Sequence, residues 1–268
     1  MEKTMKTILS IAGSDTSAGA GLQQDLKTIT ALGHYALTVP TALTAQNTMG
    51  VTRVMTVPAD MLEAQLDAVM ADFDIDAVKI GMLPERSSAE IVADRLSRMG
   101  VPIVCDPVMV STSGTPLMSE DCMTFITSRL FPLTTLITPN IPEAMCLAGR
   151  DVNEKPDRDT CDSIGRQLAT RFHTAILLKG GHMEGNVMCD TLYLPDGNTH
   201  SFSSPKVMTR NLHGTGCTLS SAIATFIAQG MSLEESIRHA KGVIDNGIHN
   251  AMTLRIGHGN GPLWITPM

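Results

Sequence analysis

The stretch TILSIAGSDTSAGAGLQQDLKTITALG, residues 7–33, changes character twice along its length. Residues 7–12 form a short apolar run, which is typical of a buried β-strand. A loop rich in Gly and Ser follows, and apolar residues then recur with the spacing of one helix face until Gly33 ends the pattern. The stretch therefore predicts a strand, a glycine-rich loop and a helix over residues 22–32, which together form one βα unit.

The same alternation continues down the chain. Apolar runs predict further strands at 34–40, 75–81, 102–107, 135–140 and 174–181. Amphipathic spacing predicts helices at 58–73, 86–99, 157–171, 216–229 and 232–250. Residues 186–204 alternate around an Asp-Gly turn and predict an antiparallel hairpin at a sheet edge. Repeated strand–helix units predict an α/β fold: a three-layer, mostly parallel sheet with helices on both faces, one domain over residues 1–268 and no separate lid domain.

Composition excludes several classes of function. The 268-residue chain carries a formal charge of −7 and only 3% aromatic residues, so it lacks both the basic surface and the stacking side chains of a nucleic-acid binder. No apolar run approaches the length of a membrane span, and the N-terminus does not have the pattern of a signal peptide. The six cysteines form no C-x-x-C pair, which favours free thiols in a reducing compartment. We therefore expect a cytoplasmic protein without membrane or nucleic-acid partners.

Polar clusters follow most of the predicted strands. They lie at 13–21, 44–50, 81–84, 106–114, 138–143 and 179–182. In parallel sheets ligands bind at the carboxyl ends of the strands, so these clusters are expected to gather along one edge of the sheet and form a site.

The segment HGTGCTLS, residues 213–220, places glycines directly before a predicted helix. Free N–H groups at a helix N-terminus attract anions, so Gly214, Thr215 and Gly216 predict a cradle for a transferred phosphate. The alternative is a tight turn that needs glycine for steric reasons. A thiol at a helix N-terminus has a lowered pKa and can act as a base, which is the role we predict for Cys217. The alternative for Cys217 is a small buried hydrophobic residue.

Ordered motifs over nearly the whole chain resemble the hydroxymethylpyrimidine and phosphomethylpyrimidine kinases of thiamine biosynthesis, a branch of the ribokinase-like superfamily. The motifs are IAGSDTSAGAGLQQDLKT (11–28), TALTAQNTMGV (41–51), KIGMLP (79–84), DPVM (106–109), LITPNIPEA (136–144), LLKGGH (177–182), NLHGTGCTLS (211–220) and GHGNGPL (257–263). The resemblance implies a transferase that moves the γ-phosphoryl group of ATP to the hydroxymethyl group of an aminopyrimidine, and then a second phosphoryl group to the monophosphate.

The resemblance also implies roles for residues on the nucleotide side. Cys217 stands where many ribokinase-like enzymes carry an aspartate base. Asn140 and Glu143 resemble the superfamily's metal–phosphate motif, with Asp106 sharing the task of holding Mg²⁺, which phosphoryl transfer requires. Lys179 is expected to pair with the nucleotide phosphates. The alternatives are a first-turn helix carboxylate for Glu143 and a solvated strand-end lysine for Lys179.

For the substrate, the family's glutamine in the AQNT motif corresponds to Gln46. Its amide offers a donor and an acceptor, which match an amino group beside a ring nitrogen. Asp25 and Gly13 lie on the loop and helix that are expected to line the same pocket. Met82 is expected to pack against the ring, although methionine at such a position is more often part of a core.

Two positions depart from the family pattern. Ala18 stands where relatives commonly have glycine, and Leu212 stands where a hydroxyl residue is frequent. His213 and His182 flank the predicted site, where each can contact the nucleotide.

Three other functions remain open on the sequence alone: a pyridoxal kinase, a sugar kinase, and a non-catalytic sensor of nucleotides or vitamins. The aminopyrimidine kinase is favoured over the sensor because Cys217, Asn140 and Glu143 are all present. The resemblance also implies a homodimer, formed through the alternating region 34–57.

Overall fold

The computed structural model describes residues 5–110, 117–180 and 187–267, and in these ranges all nine strands join one sheet. The strands are β1 (Thr7–Asp15), β2 (Tyr35–Asn47), β3 (Gly50–Thr56), β4 (Ala77–Ile80), β5 (Ile103–Cys105), β6 (Leu136–Ile137), β7 (Ala175–Leu178), β8 (Val187–Tyr193) and β9 (Thr199–Pro205). The α-helices are α1 (Gly21–Ala31), α2 (Ala59–Asp72), α3 (Arg86–Leu96), α4 (Glu120–Phe125), α5 (Ile141–Leu147), α6 (Arg158–Phe172), α7 (Thr215–Ala228) and α8 (Leu233–Ala251). A π-helical turn (Ile126–Leu130) and a 3₁₀ turn (Phe131–Leu133) continue α4.

The strand order places the site. The order is β3-β2-β1-β4-β5-β6-β7-β8-β9. The six central strands, β2, β1, β4, β5, β6 and β7, are parallel to one another. The edge strands pair antiparallel, β3 at one edge and β8 and β9 at the other. After β1 the chain adds β2 and β3 on one side of this strand, and it then crosses to add β4 on the other side. Such a reversal opens a crevice at the carboxyl ends of the strands, where ligands of α/β proteins bind.

Helices cover both faces of the sheet because the central strands are apolar on both sides. In β1, Ile8 packs into the core beneath α1, α7 and α8, whereas Leu9 and Ile11 pack into the core beneath α2 to α6. Strands buried on both faces are what a parallel sheet requires. The predicted three-layer α/β architecture and the predicted hairpin β8–β9 are confirmed. A capping box of Ser232 and Glu235 starts α8.

The sequence did not predict several elements. β2 extends seven residues beyond the predicted strand, and β3 pairs with that extension. The extension is half-exposed and its Thr and Ala residues give little hydrophobic contrast, so the pairing with β3 determines its conformation. The helices α4 and α5 are only six and seven residues long, too short to display a clear helical period.

Ala18 has a left-handed backbone with φ of 58°. This conformation costs a non-glycine residue about 1–2 kcal/mol, which is the physical reason to expect glycine at this position. Ala18→Gly is therefore expected to raise the free energy of unfolding by about 1 kcal/mol and the Tm by about 2–4 °C, measured by thermal unfolding. The matched control is Ala64→Gly in the exposed face of α2, which is expected to lower stability by about 1 kcal/mol. Equal losses in both variants would contradict the strain at Ala18.

Candidate active site

The predicted phosphate cradle lies at the N-terminus of α7. Gly214 caps the helix with a φ of 84°, and the carbonyl of Gly19 lies where a β-carbon would be, so glycine is required for both conformation and space. The first N–H groups of a helix have no partner within the helix, and no side chain of the described residues caps them here. Gly214 and Gly216 therefore present the expected anion-binding backbone, whereas the N–H of Thr215 already donates to the carbonyl of Leu212 over 3.2 Å, which corrects the prediction for Thr215.

A buried ion pair stands beside this backbone. Lys179, directly after β7, places its Nζ 2.8 Å from Oδ1 of Asp106, which follows β5. A β-carbon on Gly216 would lie 3.2 Å from Oδ2 of Asp106 and 3.5 Å from Nζ of Lys179. Burial opposes the charge of Lys179, but Asp106 and Glu143 raise its pKa above the usual value. The fold thus brings three predicted residues from three different elements to one point.

Asn140 and Glu143 form a reciprocal capping box at the start of α5. The N–H of Asn140 donates to Oε2 of Glu143 over 2.8 Å, and the N–H of Glu143 donates to Oδ1 of Asn140 over the same distance. Burial raises the pKa of Glu143 to about 7, and the nearby Asp106 raises it too, while Lys179 lowers it. Glu143 therefore serves the helix terminus, as the alternative held, and also lies close enough to Asp106 and Lys179 to interact with both.

The carboxylates suit a metal that arrives with the nucleotide. In the described ranges no three His, Cys, Asp or Glu side chains lie close enough together to hold an ion by themselves. Mg²⁺ is commonly bound through one or two carboxylates together with substrate phosphates, and oxygen is its preferred ligand. Asp106 and Glu143 fit that pattern.

The prediction of a lowered pKa for the Cys217 thiol is wrong for the free protein. Burial raises this pKa to about 11, and the charges of Asp25 and Asp106 add to the increase. The ammonium of Lys79 and the N–H of Gly21 act in the opposite direction but do not compensate. The helix terminus is thus outweighed by desolvation, which the sequence did not reveal.

Asp25 was expected to line the substrate pocket, but the structure places it in the interior. Its side chain is fully buried. Its carboxylate accepts hydrogen bonds from Ser10 (2.6 Å), Ser221 (2.6 Å) and Lys79 (2.7 Å). Both oxygens are engaged, so this arrangement ties α1, β1, β4 and α7 together and does not support direct substrate contact.

Lys79 is a residue whose importance the sequence analysis missed. It is fully buried in β4, a strand whose other residues are all apolar. Burial alone would lower its pKa, but the charges of Asp25, Cys217 and Asp106 raise it above the usual value. A lone lysine inside an apolar strand was the available signal, because a buried lysine needs a paired charge.

Gly13 and Met82 meet at the ends of β1 and β4. A β-carbon on Gly13 would lie 2.9 Å from the sulfur of Met82, and the methionine is buried. The hydroxyl of Thr41 donates to the carbonyl of Met82 over 2.6 Å, which fixes this turn of the chain. The pair lies at the strand-order reversal, where the crevice is expected.

Gln46 belongs to a second polar group, which includes Thr44, His213 and Asp15. Its Oε1 accepts from Thr44 over 3.1 Å, and its Nε2 lies 3.4 Å from Nε2 of His213. The same histidine nitrogen lies 2.9 Å from Oδ2 of Asp15. Burial opposes ionisation of Asp15, but hydrogen bonds from His213 and Ser17 hold its pKa below the usual value. The structure thus pairs His213 with Gln46 and Asp15, whereas His182 lies outside the described residues.

The C-terminal loop holds this group in place. The N–H of His213 donates to the carbonyl of Gly261 over 3.0 Å, and the N–H of Asn260 donates to the carbonyl of Thr48 over 2.9 Å. Gly259 leaves no room for a side chain because the Thr48 carbonyl occupies the position of its β-carbon. The GHGNGPL motif therefore connects the β2–β3 turn to the loop before α7.

Residues 15–264 match the family model described as phosphomethylpyrimidine kinase. The chain belongs to this family. It is 45% identical over 258 residues to a hydroxymethylpyrimidine/phosphomethylpyrimidine kinase of Rhizobium meliloti (strain 1021) and 43% identical over 256 residues to one of Escherichia coli (strain K12), and each match covers 95% of both chains. The predicted membership of this kinase family is confirmed, and with it the prediction of a phosphotransferase.

Two solved structures share the fold closely. The phosphomethylpyrimidine kinase from Clostridium difficile 630 is 35% identical with a TM-score of 0.77, over 91% of this chain and 99% of that chain. A pyridoxal kinase from Bacillus subtilis, solved as an ADP complex, is 29% identical with a TM-score of 0.88 over 98% of each chain. The ribokinase-like fold is therefore shared by kinases that act on different rings. Among the described residues no helix is both long and apolar enough to span a membrane.

Proposed function

We propose that this protein phosphorylates 4-amino-5-hydroxymethyl-2-methylpyrimidine with ATP and then phosphorylates the monophosphate to the diphosphate, as in thiamine biosynthesis. The observation that carries the proposal is Gly216 at the start of α7, where a β-carbon would contact both Asp106 and Lys179 and its absence leaves that space open. An anion-binding backbone, a cation and a carboxylate at one point are the parts that phosphoryl transfer uses. The names of the curated relatives support the two substrates. One kinase domain over residues 1–268 is part of the proposal.

On the phosphate side, the N–H groups of Gly214 and Gly216 receive the transferred group. As the substrate oxygen bonds to the γ-phosphorus, the bond to the β-phosphate oxygen breaks and the hydroxyl proton passes to the thiolate of Cys217. Lys179 pairs with the negative charge of the nucleotide phosphates.

Asp106 and Glu143 would hold Mg²⁺, while Asn140 orients Glu143 through the capping box. When it is bound, Mg²⁺ neutralises charge on the nucleotide phosphates. The buried carboxylates of this chain keep that charge on one side of the crevice.

On the substrate side, Gln46 recognises the aminopyrimidine edge. Its Oε1 accepts from Thr44, and its amide nitrogen lies beside His213, which donates to Asp15. Met82 packs against the ring, and Gly13 leaves the space that the Met82 side chain occupies. Asp25 does not touch the substrate, and it supports the pocket indirectly through its ion pair with Lys79.

Gln46→Ala is expected to raise the KM for the pyrimidine by about 10- to 100-fold while the KM for ATP stays within about 2-fold, because one side chain that makes paired hydrogen bonds to a ligand contributes on the order of 1–3 kcal/mol. Steady-state kinetics with each substrate varied in turn measures the split. Gln65→Ala, the same change on exposed α2, is the control and should leave both values unaltered. Equal losses for both substrates in the Gln46 variant would contradict the assignment.

The function itself is tested by ADP release with Mg-ATP, comparing hydroxymethylpyrimidine, its monophosphate and pyridoxal. Turnover of both pyrimidines with pyridoxal slow, abolished by EDTA and restored by Mg²⁺, is the expected result. Pyridoxal as the best substrate would support a pyridoxal kinase, the second candidate function, which is suggested by the likeness to the Bacillus subtilis pyridoxal kinase. No turnover of any of the three would support a sensor.

We also propose a homodimer formed through the β2–β3 edge. Leu43 and Met55 are cross-strand neighbours there, and 44% and 56% of their surfaces are exposed. An unpaired edge strand with apolar side chains is a typical contact surface. Light scattering is expected to give twice the chain mass, and Met55→Lys is expected to give a monomer. The control is Met208→Lys, because Met208 is 86% exposed and lies outside this edge. A wild-type protein that is monomeric would refute the proposed dimer.

A cytoplasmic location is proposed as well. All six cysteines are free, which is the usual state in a reducing compartment. The acidic net charge supports the absence of nucleic-acid partners.

A further inference from the structure

Asp190 lies in β8 at the point where the β7–β8 ladder ends. The last paired residues are Leu178 and Thr191, and beyond them the strands no longer exchange backbone hydrogen bonds. The carboxylate of Asp190 replaces the ladder: its Oδ1 accepts from the N–H of Gly180 over 2.9 Å. A side chain thus holds backbone that the sheet has released.

A second partner fixes this carboxylate from the opposite side. Nζ of Lys241, on α8, donates to Oδ2 of Asp190 over 2.6 Å. Both residues are buried, with 8% of Lys241 and 5% of Asp190 exposed. A buried carboxylate that has both oxygens engaged has little freedom, so Asp190 connects α8 rigidly to Gly180.

Gly180 directly follows Lys179, the cation of the phosphate site. The N–H of Lys179 donates to the carbonyl of Pro139 over 2.9 Å, so the peptides on both sides of Lys179 are held. Gly180 has no room for a β-carbon because the carbonyl of Cys189 occupies that space. The backbone of Lys179 therefore has one position, and its ammonium lies 2.8 Å from Asp106.

We infer that Asp190 is a positioning residue for Lys179: it holds the peptide after Lys179 so that the ammonium meets the nucleotide phosphates beside α7. This inference rests on the proposed role of Lys179 as the phosphate-binding cation. Asp190 itself touches neither substrate. A displacement of about 1 Å at a reacting group can reduce a rate by on the order of 10²-fold, so loss of this hydrogen bond is expected to be visible in the kinetics.

Two double variants separate the hydrogen bond from the ion pair. D190N/K241M removes both charges but keeps an oxygen that accepts from the N–H of Gly180. D190A/K241M removes the same charges and the acceptor. D190A/K241M is expected to lose about 10- to 100-fold in kcat/KM for ATP with an unchanged KM for hydroxymethylpyrimidine. D190N/K241M is expected to keep kinetic values close to those of the wild-type protein. Thermal unfolding of both sets an assay temperature at which each is folded.

Equal ATP kinetics in the two double variants would overturn the inference. If D190A/K241M does not fold, Asp190→Glu provides the test, because it keeps the charge and moves the oxygens by one carbon. It is expected to reduce kcat/KM for ATP while the KM for hydroxymethylpyrimidine stays unchanged, and normal ATP kinetics would again overturn the inference. Lys179→Met serves as the reference: full activity in that variant would refute the proposed role of Lys179 itself, and the inference with it.

Discussion

Replacement of Cys217 by alanine is expected to lower kcat by about 10²–10⁴-fold while the KM values for ATP and the pyrimidine remain close to those of the unchanged protein. Cys217 lies at the start of α7, in the turn that contains Gly216 and so beside Asp106 and Lys179. A base that is removed from this place leaves the anion-binding backbone intact, so binding persists and proton transfer does not. Steady-state kinetics of ADP release measures both parameters.

The pKa of Cys217 predicts the direction in which the activity changes with pH. A base acts in its deprotonated form, and burial raises the pKa of the Cys217 thiol to about 11 in the free protein. The thiolate fraction therefore increases with pH throughout the neutral and mildly alkaline range, and kcat/KM, which reports the ionisable groups of the free enzyme, is expected to rise between about pH 7 and 10. The slope should be absent in the alanine variant.

Cys217→Ser is the matched control, since it keeps a polar side chain of similar size. A serine hydroxyl is a far weaker acid than a thiol, so this variant is expected to be as slow as the alanine variant. Activity near that of the unchanged protein in either variant would show that Cys217 only packs the helix terminus. Cys217→Asp would introduce the base that many ribokinase-like enzymes carry, and it should move the activity to lower pH if a base is what the position supplies.

Lys79→Met is expected to lower the free energy of unfolding by about 3–5 kcal/mol, which corresponds to a Tm decrease on the order of 10 °C. The variant keeps most of the side-chain volume but leaves the carboxylate of Asp25 buried without its cation. An isolated buried charge is far less stable than a paired one, and Ser10 and Ser221 do not replace the ammonium. Denaturant and thermal unfolding measure the loss.

Two companions test the cause of that loss. Asp25→Asn combined with Lys79→Met removes both charges and is expected to recover most of the stability. Lys6→Met breaks the partly exposed pair of Lys6 and Asp76, and it is expected to cost less than about 1 kcal/mol. A Lys79 variant that is as stable as the Lys6 variant would contradict the account of the buried pair.

Much of the fold could be predicted because its determinants are local. Strands such as β1 and β7 are apolar on both faces, and the buried residues of helices such as α6 and α8 repeat every three or four positions, so each element appears in a short window of sequence. The element pairing in β2–β3 could not be predicted, since its strands are half-exposed and depend on each other.

The candidate site divides in the same way. The glycines before α7, the acid after β5 and the lysine after β7 are visible in the sequence because parallel strands bring their carboxyl ends together whatever the details. Chemistry at a single atom is different. The direction of the Cys217 pKa depends on burial, on Lys79 and on Asp25, which lie more than a hundred residues away along the chain.

The sequence by itself thus determined the layers, the edge on which the site lies and the residue types that gather there, because hydrophobic periodicity and chain direction are local properties. Only the tertiary structure decided the partners: Lys79 with Asp25, Asp190 with Gly180, and His213 with both Gln46 and Asp15. Those contacts join residues that are distant in the chain. They exist because buried polar groups must find partners, and the packing of the whole fold determines which partners are within reach.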